Sequence, residues 1–167
     1  VTGVQTCALP ISRRSETSGL TQAAVLVPVV QTLEGLQILF TRRTDLVEHH
    51  KGQISFPGGI ADAVDGSLEA TALREFEEEL GVAATSVEVL GALPPVHTVV
   101  SGILMVPVVG WLAERPAFAP HPGEIAELLE FPLADRVLPG LGHTDRFLHA
   151  CYSVALGDWP PRLIAQR

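Results

Sequence analysis

The nine residues Arg74-Glu75-Phe76-Glu77-Glu78-Glu79-Leu80-Gly81-Val82 carry the strongest structural signal in this chain. On a helical wheel of about 100° per residue, the apolar side chains here and one turn earlier share one arc, which we expect to face a core: Ala72, Leu73, Phe76 and Leu80. Glu75, Glu78 and Glu79 share the neighbouring arc, at spacings i, i+3 and i+4. Glu77 points toward solvent. The pattern predicts an amphipathic helix with an acidic patch beside its buried face.

Three carboxylates on one patch of a helix repel one another. Like charges at i, i+4 cost roughly a few tenths of a kcal/mol even in water, and the cost rises where water is excluded. A divalent cation would remove this repulsion, because Mg²⁺ binds hard oxygen ligands such as carboxylates and phosphates. Acidic runs are also typical of solvated surfaces, so the run alone leaves both interpretations open.

The rest of the chain predicts a mixed sheet around this helix. The helix itself spans Ser67–Leu80, with Asp65 or Ser67 as its N-cap and Gly81 at its C-terminal end. The other predicted elements are six strands and a short helix: Ala23–Val30, Leu36–Thr41, Gln53–Phe56, Val87–Leu93, Leu104–Leu112, Arg146–Val154 and the helix Glu124–Glu130. Pro57-Gly58-Gly59 is expected to end the third strand. We therefore expect the α/β fold class, with a mixed β-sheet sandwiched between α-helices.

Composition and charge narrow the function classes. A chain of 167 residues with 47% hydrophobic and 18% charged residues fits one globular domain with a full core. The net charge of −8 repels phosphate backbones, so we expect no nucleic-acid partner. The apolar runs fall short of the roughly 20 residues that a spanning helix needs, so we expect no membrane partner. Two cysteines form no disulfide framework, which favours a cytoplasmic location.

Two segments together resemble the signature of the Nudix hydrolases. Gly58-Gly59 followed by Arg74–Val82 is similar to the Nudix box, in which a glycine and a glutamate precede the run Arg-Glu-apolar-any-Glu-Glu-any-Gly-apolar. Arg74–Val82 matches that run at every specified position. Asp65 stands in place of the first glutamate, and one extra residue precedes Arg74. The resemblance implies the Nudix fold and the hydrolysis of a phosphoanhydride bond in a small-molecule substrate.

Residues upstream resemble the coenzyme A diphosphatases within that family. Phe40-Thr41-Arg42-Arg43-Thr44 and Gly52-Gln53-Ile54-Ser55-Phe56-Pro57-Gly58-Gly59 are similar to the motif that precedes the Nudix box in this subgroup. The resemblance implies hydrolysis of the pyrophosphate bond of coenzyme A or acyl-CoA to 3′,5′-ADP and 4′-phosphopantetheine or its acyl form. Two alternatives stay open: hydrolysis of another nucleoside diphosphate derivative, such as ADP-ribose, and a catalytically silent domain that binds a nucleotide.

The resemblance also implies roles for individual residues. The carboxylates of Glu75, Glu78 and Glu79, with the backbone carbonyl of Gly59, would hold Mg²⁺ or Mn²⁺. The catalytic candidates are Arg74, Glu75, Glu78 and Glu124. Arg74 would pair with carboxylates of its own helix or of the preceding loop and orient them, since Glu78 lies at i+4.

The resemblance leaves more than one candidate for the general base and for the residues that bind the substrate. Glu78 or Glu124 would act as the base, although Glu124 equally fits the first-turn acid of a short helix. The candidates for binding substrate phosphates and neighbouring groups are Arg42, Arg43, Lys51 and Gln53, with His49 and His50 beside Lys51. Each arginine also fits a solvated residue at a strand end.

The two ends of the chain are expected to depart from the domain. Residues 1–11 resemble the translation of a sequencing-library adapter, so we interpret them as non-native. Residues 12–20 read as a disordered lead-in. Residues 21–167 would form a single domain whose last part, from Gly157-Asp158-Trp159-Pro160-Pro161 to Arg167, departs from the family pattern and reads as truncated or frame-shifted.

Overall fold

The structure, a computed structural model, describes residues 20–46, 51–98 and 102–133. Within them, eight strands form one sheet and a single α-helix packs on it. The elements in chain order are β1 (Thr21–Thr32), β2 (Gly35–Arg43), β3 (Ile54–Ser55), β4 (Gly58–Ile60), α1 (Leu68–Leu80), β5 (Glu88–Ala92), β6 (Val96–Thr98), β7 (Ile103–Leu112) and β8 (Ile125–Pro132). A 3₁₀ turn, Ala84–Ser86, links α1 to β5. The predicted strand Arg146–Val154 and both cysteines lie outside the described residues.

The sheet is mixed, as the sequence predicts. Its central strand β1 forms an antiparallel hairpin with β2 and pairs in parallel with β7 along ten residues, from Thr21 opposite Ile103 to Val30 opposite Leu112. β3 and β8 pair with β2, β4 pairs with β1, and β5 and β6 pair with β7, all antiparallel. The predicted α/β class with a mixed sheet is therefore confirmed.

Alternation along β1 supplies both faces of the sheet with apolar side chains. Ala24 and Leu26 point toward α1, while Val25 and Val27 belong to the opposite face. The cluster on the helix side consists of Ala24, Leu26, Val30, Leu39, Ala72, Phe76, Leu80, Val82, Val87, Val106, Val108 and Leu112. This packing fixes the rotation of α1, because its apolar arc is buried against the sheet.

One predicted element is wrong and one strand was not predicted, and long-range pairing explains both. Glu124–Glu130 is not a helix: Ile125–Pro132 is a strand, because it forms a ladder with β2 from Gln37 to Arg43. Strand β3 does end before Pro57-Gly58-Gly59, as predicted, but Gly58–Ile60 forms the additional strand β4, which pairs with β1. Gly58 has φ +158°, and a Cβ there would fall on the backbone of Ala24, so only glycine permits this approach to β1.

No helix among the described residues is both long and apolar enough to cross a membrane.

Candidate active site

Helix α1 is held at both ends by residues that the sequence marks as caps. The Ser67 hydroxyl accepts the Ala70 N–H at 3.1 Å, so Ser67, and not Asp65, is the N-cap. Gly81 ends the helix in the left-handed conformation, at φ +67°, and its N–H donates to the Glu77 carbonyl at 2.8 Å. These caps fix the two ends, and hence the length, of α1.

The three predicted glutamates lie at different depths on one side of α1. The Glu78 side chain is 60% exposed, the Glu75 side chain 18% and the Glu79 side chain 4%. Glu77 is exposed on another face, where its carboxylate accepts the Ala84 N–H at 2.9 Å. The helix therefore presents a line of carboxylates that runs from solvent to the edge of the core.

Arg74 binds carboxylates of its own helix and of the preceding loop. Its guanidinium forms two hydrogen bonds of 3.0 Å with Asp65, one of 2.9 Å with Glu75 and one of 3.1 Å with Glu78. It also donates to the Ile60 carbonyl at 3.3 Å. The predicted pairing of Arg74 is confirmed, and it holds two of the three acidic side chains in place.

Asp65 is the main partner of Arg74. The hydrogen bonds from Arg74 hold the pKa of the Asp65 carboxyl well below its ordinary value, against the effect of burial. Thr71 also donates its hydroxyl to Asp65 at 2.9 Å. The same contacts raise the pKa of Arg74, so both groups are charged at neutral pH. Asp65 thus provides the carboxylate for Arg74 where the general Nudix pattern has glutamate.

The diglycine bend lies against the acidic patch. A Cβ at Gly59 would fall on the Glu75 carboxylate, so the backbone of the bend approaches this side chain as only glycine allows. The Gly58 backbone N–H faces the Glu79 carboxylate and slightly opposes the rise in its pKa. The loop between β3 and α1 therefore contacts both the half-buried and the buried glutamate.

Burial raises the pKa of Glu79 to about 8, more strongly than any other influence. The positive charge of Arg43 opposes this shift, while Glu75 and Glu124 add to it by repulsion. Burial also raises the pKa of Glu75, partly offset by Arg74. Within the described residues, Glu79 Oε2 and Arg43 Nε are buried without a hydrogen-bond partner. The inner end of the patch thus has an unsatisfied acceptor and an unsatisfied donor.

The two neighbouring arginines of β2 point to opposite faces of the sheet. Arg43 Nη1 lies 3.8 Å from Glu79 Oε1. Arg42 pairs with Glu127 of β8 at 3.1 Å. The pairing of β2 with β8 shifts register between these two arginines. Arg42 lies opposite Glu127 and Arg43 opposite Ile125, so β8 is bulged at this point. The structure brings Arg43 to the acidic helix and does not bring Arg42 there.

Glu124 lies in the turn before β8, close enough to the patch that its charge raises the pKa of both Glu75 and Glu79. Its carboxylate lies 4.0 Å from the imidazole of His121. The β7–β8 connection is fixed to the end of α1, where Ala119 N–H donates to the Leu80 carbonyl and His121 N–H to the Glu79 carbonyl, both at 2.8 Å. Glu124 therefore faces the site from outside the helix.

Gln53 and Lys51 are the other predicted substrate-binding residues that the structure describes. Both lie near the end of β2, and the contact that joins Gln53 to Arg43 is made by its backbone. The Gln53 carbonyl accepts the Arg43 N–H at 2.9 Å, and this bond joins the end of β2 to β3. Lys51 is exposed in the turn before β3. His49 and His50 lie outside the described residues.

Thr44 is a residue that sequence reasoning missed. It is 7% exposed, and it hydrogen-bonds the turn that contains Glu124 through both its backbone and its hydroxyl. The sequence offered one signal for Thr44, since it ends the motif Phe40–Thr44 and directly follows Arg43. Its contact with the turn of Glu124 could not be predicted, because it depends on the register between β2 and β8.

Among the described residues, no three side chains of His, Cys, Asp or Glu lie together in a way that could hold a metal ion without rearrangement. Arg74 holds Glu75 and Glu78, while Arg43 lies beside Glu79. Each arginine neutralises part of the acidic patch.

Comparison with known proteins agrees with this fold and motif. The NUDIX domain family matches residues 20–147. The uncharacterized Nudix hydrolase NudL of Pectobacterium atrosepticum is 47% identical over 112 residues, which cover 67% of this chain and 57% of that protein. NudL of Citrobacter koseri is 41% identical over 128 residues, 77% of this chain and 66% of that protein. The chain thus spans less than two thirds of the length of these relatives.

Solved Nudix structures have the same fold. RenU, a Nudix hydrolase from M. smegmatis, superposes with a TM-score of 0.61 at 21% identity, over 80% of this chain and 86% of that one. The NUDIX domain of Shewanella oneidensis NrtR, solved with ADP ribose, gives a TM-score of 0.55 at 23% identity, over 82% of this chain and 88% of that one. The chain belongs to the Nudix family.

Proposed function

We propose that the protein is a divalent-metal-dependent hydrolase of the pyrophosphate bond of coenzyme A or acyl-CoA, with 3′,5′-ADP and 4′-phosphopantetheine or its acyl form as products. One observation carries the proposal: Arg43 and the buried Glu79 face each other at the diglycine bend, each with an unsatisfied polar atom. A guanidinium binds phosphate oxygens, and a buried carboxylate needs a cation. The site thus offers a guanidinium for the diphosphate and a carboxylate for the metal ion that accompanies it.

The residues of the patch fit Mg²⁺ or Mn²⁺. All the donors are hard oxygens, Glu79 Oε2 lacks a partner, and the Gly59 backbone lies against Glu75. Glu75, Glu78, Glu79 and the Gly59 carbonyl would hold the metal. When bound, such an ion neutralises charge on the phosphate oxygens and lowers the pKa of bound water.

The remaining residues have distinct tasks in this proposal. Arg74 holds the Glu75 and Glu78 carboxylates in orientation, and Asp65 holds Arg74. Arg43 binds a phosphate oxygen of the substrate. Glu124, in the turn before β8, accepts the proton of the attacking water at its carboxylate, in place of the alternative base Glu78. Placing the base outside the metal-binding helix leaves all three helix carboxylates free as ligands.

The two upstream motifs favour coenzyme A as substrate within this reaction class. They come together in the structure, because Thr41 and Arg42 of the first pair with Ser55 and Ile54 of the second. Arg43, the residue they position, adds a positive charge to an acidic site. Coenzyme A carries a 3′-phosphate besides its diphosphate, so it gains more from an added cationic contact than substrates without that group. Lys51, exposed beside this pair of strands, is the second candidate for that contact.

A substrate panel with Mg²⁺ or Mn²⁺ tests the proposal. Coenzyme A, acetyl-CoA, ADP-ribose and a dinucleoside polyphosphate are each incubated with the protein, and the nucleotide products are separated by chromatography. The product is 3′,5′-ADP from the two coenzyme A substrates, AMP from ADP-ribose and mononucleotides from the dinucleoside polyphosphate. Faster turnover of coenzyme A than of ADP-ribose supports the assignment. The reverse order supports a different nucleoside diphosphate substrate, and nucleotide binding without turnover supports a silent domain.

The substitution Glu78→Gln tests the metal-binding patch in the same assay. We expect turnover to fall by about a hundredfold or more, equal to a few kcal/mol of transition-state stabilisation, with the fold retained because Glu78 is exposed. Glu77→Gln is the matched control: it changes the same charge one residue away, and the glutamine can still accept the Ala84 N–H. Equal activity of the two variants would remove Glu78 from the site.

A further inference from the structure

The turn that carries Glu124 is held by one residue of another strand. Thr44 N–H donates to the Glu124 carbonyl at 2.8 Å, and the Thr44 hydroxyl donates to the Gly123 carbonyl at 3.0 Å. The hydroxyl also accepts the Leu46 N–H at 3.3 Å, which fixes its own direction. Thr44 is 7% exposed, so these bonds have little competition from water.

These two bonds fix the backbone on both sides of Glu124. The Gly123 carbonyl belongs to the peptide plane that precedes the Glu124 Cα, and the Glu124 carbonyl belongs to the plane that follows it. Holding both planes fixes the two dihedral angles of Glu124, and hence the direction in which its side chain leaves the backbone. Gly123 would otherwise leave the first plane unusually free.

Thr44 also follows Arg43 directly in the chain. Arg43 reaches Glu79 with its guanidinium, and Glu124 acts on Glu75 and Glu79 through its charge. At the end of β2, Arg43 is therefore the proposed phosphate-binding residue, and Thr44, the next residue, holds the turn that carries the proposed base Glu124. A shift of the β2–β8 bulge would move both together.

The geometry points to Thr44 as a positioning residue that holds the Glu124 carboxylate in register with Arg43 and the acidic helix. The inference rests on the proposed function, because Glu124 is assigned there as the base. Thr44 itself touches no reacting atom. Its hydroxyl supplies the bond that a purely apolar side chain of the same shape would lack.

Thr44→Val removes the hydroxyl and keeps the β-branch, the volume and the backbone N–H. With the panel substrate that the wild type cleaves fastest, we expect kcat to fall about tenfold while KM changes less than about twofold, because small displacements of a catalytic group cost rate more than binding. Thr44→Ser, which restores the hydroxyl, is expected to recover kcat to within about threefold of the wild type.

Thr32→Val is the matched control. The Thr32 hydroxyl also donates to a carbonyl, that of Gly35 at 2.9 Å, and accepts a backbone N–H, that of Glu34 at 3.2 Å. It lies in the β1–β2 hairpin turn, at the other end of β2 from the site. A general loss of stability would affect both valine variants alike, whereas a positioning role lowers kcat only in Thr44→Val.

Hydrogen exchange gives a readout that does not depend on activity. The N–H groups of Glu124 and Ile125 both donate to the His121 carbonyl, at 3.0 and 2.9 Å, and we expect them to exchange faster in Thr44→Val than in the wild type or Thr32→Val. If the wild type cleaves no panel substrate, the proposed function fails, and the exchange data alone decide whether Thr44 holds the turn.

Unchanged exchange at the turn, or a kcat for Thr44→Val equal to that of Thr32→Val, overturns the inference. If Thr44→Val does not fold, Thr44→Ala and Thr44→Ser are compared in its place. The inference then requires the serine variant, and not the alanine variant, to keep both the protection of the turn and the rate.

Discussion

Glu79 combines a buried position with a proposed metal-binding role that requires its charge. Its pKa of about 8, against an ordinary value of 4.5, means that the metal-free folded protein holds a proton there that the unfolded chain has released. Folding therefore binds a proton between these two pH values, and the stability of the metal-free protein falls as the pH rises through that window. Glu75, whose pKa is also raised, acts in the same direction.

Glu79→Gln is expected to remove most of the loss of stability that the metal-free protein shows as the pH rises. In EDTA at pH 8.5, we expect the variant to exceed the wild type in free energy of unfolding by at least about 1.4 kcal/mol, the equivalent of one pKa unit, whereas at pH 4 the two should agree closely. Urea unfolding across the pH range measures the difference. Glu77→Gln, which removes a charge from the exposed face of the same helix, should follow the wild type; a parallel course for Glu79→Gln would mean that Glu79 is ionised at neutral pH.

Asp65 has the opposite electrostatic behaviour. Its pKa is lowered by Arg74, so it contributes stability above its ordinary pKa of 3.8, and this contribution is lost as the pH falls toward its folded-state value. Asp65→Asn leaves Arg74, which is 28% exposed, without its main partner. We expect a cost of about 2 kcal/mol at pH 7, a smaller cost in acid, and lower activity because Glu75 and Glu78 lose their orientation.

Asp62→Asn is the control for this substitution. Asp62 lies in the same loop, is exposed, and accepts the Val64 N–H through an oxygen that asparagine also provides. We expect its urea midpoint at pH 7 to stay near that of the wild type. If Asp65→Asn unfolds at the same urea concentration as Asp62→Asn, the contacts of Asp65 with Arg74 contribute no net stability.

At the scale of elements, the end of α1 connects the acidic helix to the β7–β8 segment. Gly81, at φ +67°, leaves room for Ala119, whose Cβ would lie 2.9 Å from a Cβ at position 81. Gly81→Ala is therefore expected to cost about 1–2 kcal/mol through its left-handed backbone, and to displace the segment that leads to Glu124. Thermal unfolding and kcat measure the two effects.

Gly66→Ala separates these effects from a general cost of adding a methyl group. Gly66 lies just before the other end of the helix, and a Cβ there meets nothing within 4 Å. We expect its Tm and kcat to match those of the wild type. Should Gly81→Ala lose stability and keep its kcat, the segment after β7 would not transmit the disturbance to Glu124.

The elements that the sequence predicts well are those fixed by local chemistry. Ser67, Gly81 and the spacing of apolar residues fix α1 within a few residues of the chain, so its limits agree with the prediction to one residue. The predicted strands Ala23–Val30 and Leu36–Thr41 are also close in the chain, and they form the β1–β2 hairpin through a turn of two residues at Leu33-Glu34. In both cases the determining contacts lie within one turn of helix or hairpin.

The elements that the sequence predicts badly depend on distant partners. Ile125–Glu130 reads Ile-Ala-Glu-Leu-Leu-Glu, which has good intrinsic helix propensity, and only its ladder with β2 makes it a strand. The same ladder separates Arg42 from Arg43 and brings Thr44 to Glu124. The glutamates of the site could be found from local spacing, but the contacts around Arg43 and Thr44 could not, because they depend on register.

At the scale of the whole molecule, the net charge of −8 gives any cation two ways to stabilise the fold. Counterions screen the overall repulsion more strongly as the ionic strength rises, whatever the ion. A divalent ion bound at the acidic patch would stabilise by mass action instead, by about 2.7 kcal/mol at a concentration one hundred times its Kd. These two effects differ in ion specificity and in their dependence on single residues.

We therefore expect Mn²⁺ to raise the Tm of EDTA-treated protein well beyond the effect of NaCl at equal ionic strength. In Glu75→Gln most of this specific increase should disappear, because Glu75 lies between the Gly59 backbone and Arg74 in the middle of the patch. Glu88→Gln, which removes an exposed carboxylate on β5, changes the net charge equally and should keep it. An equal response of the two variants to Mn²⁺ would mean that the ion acts by screening the whole molecule, and the acidic helix would then be a solvated surface.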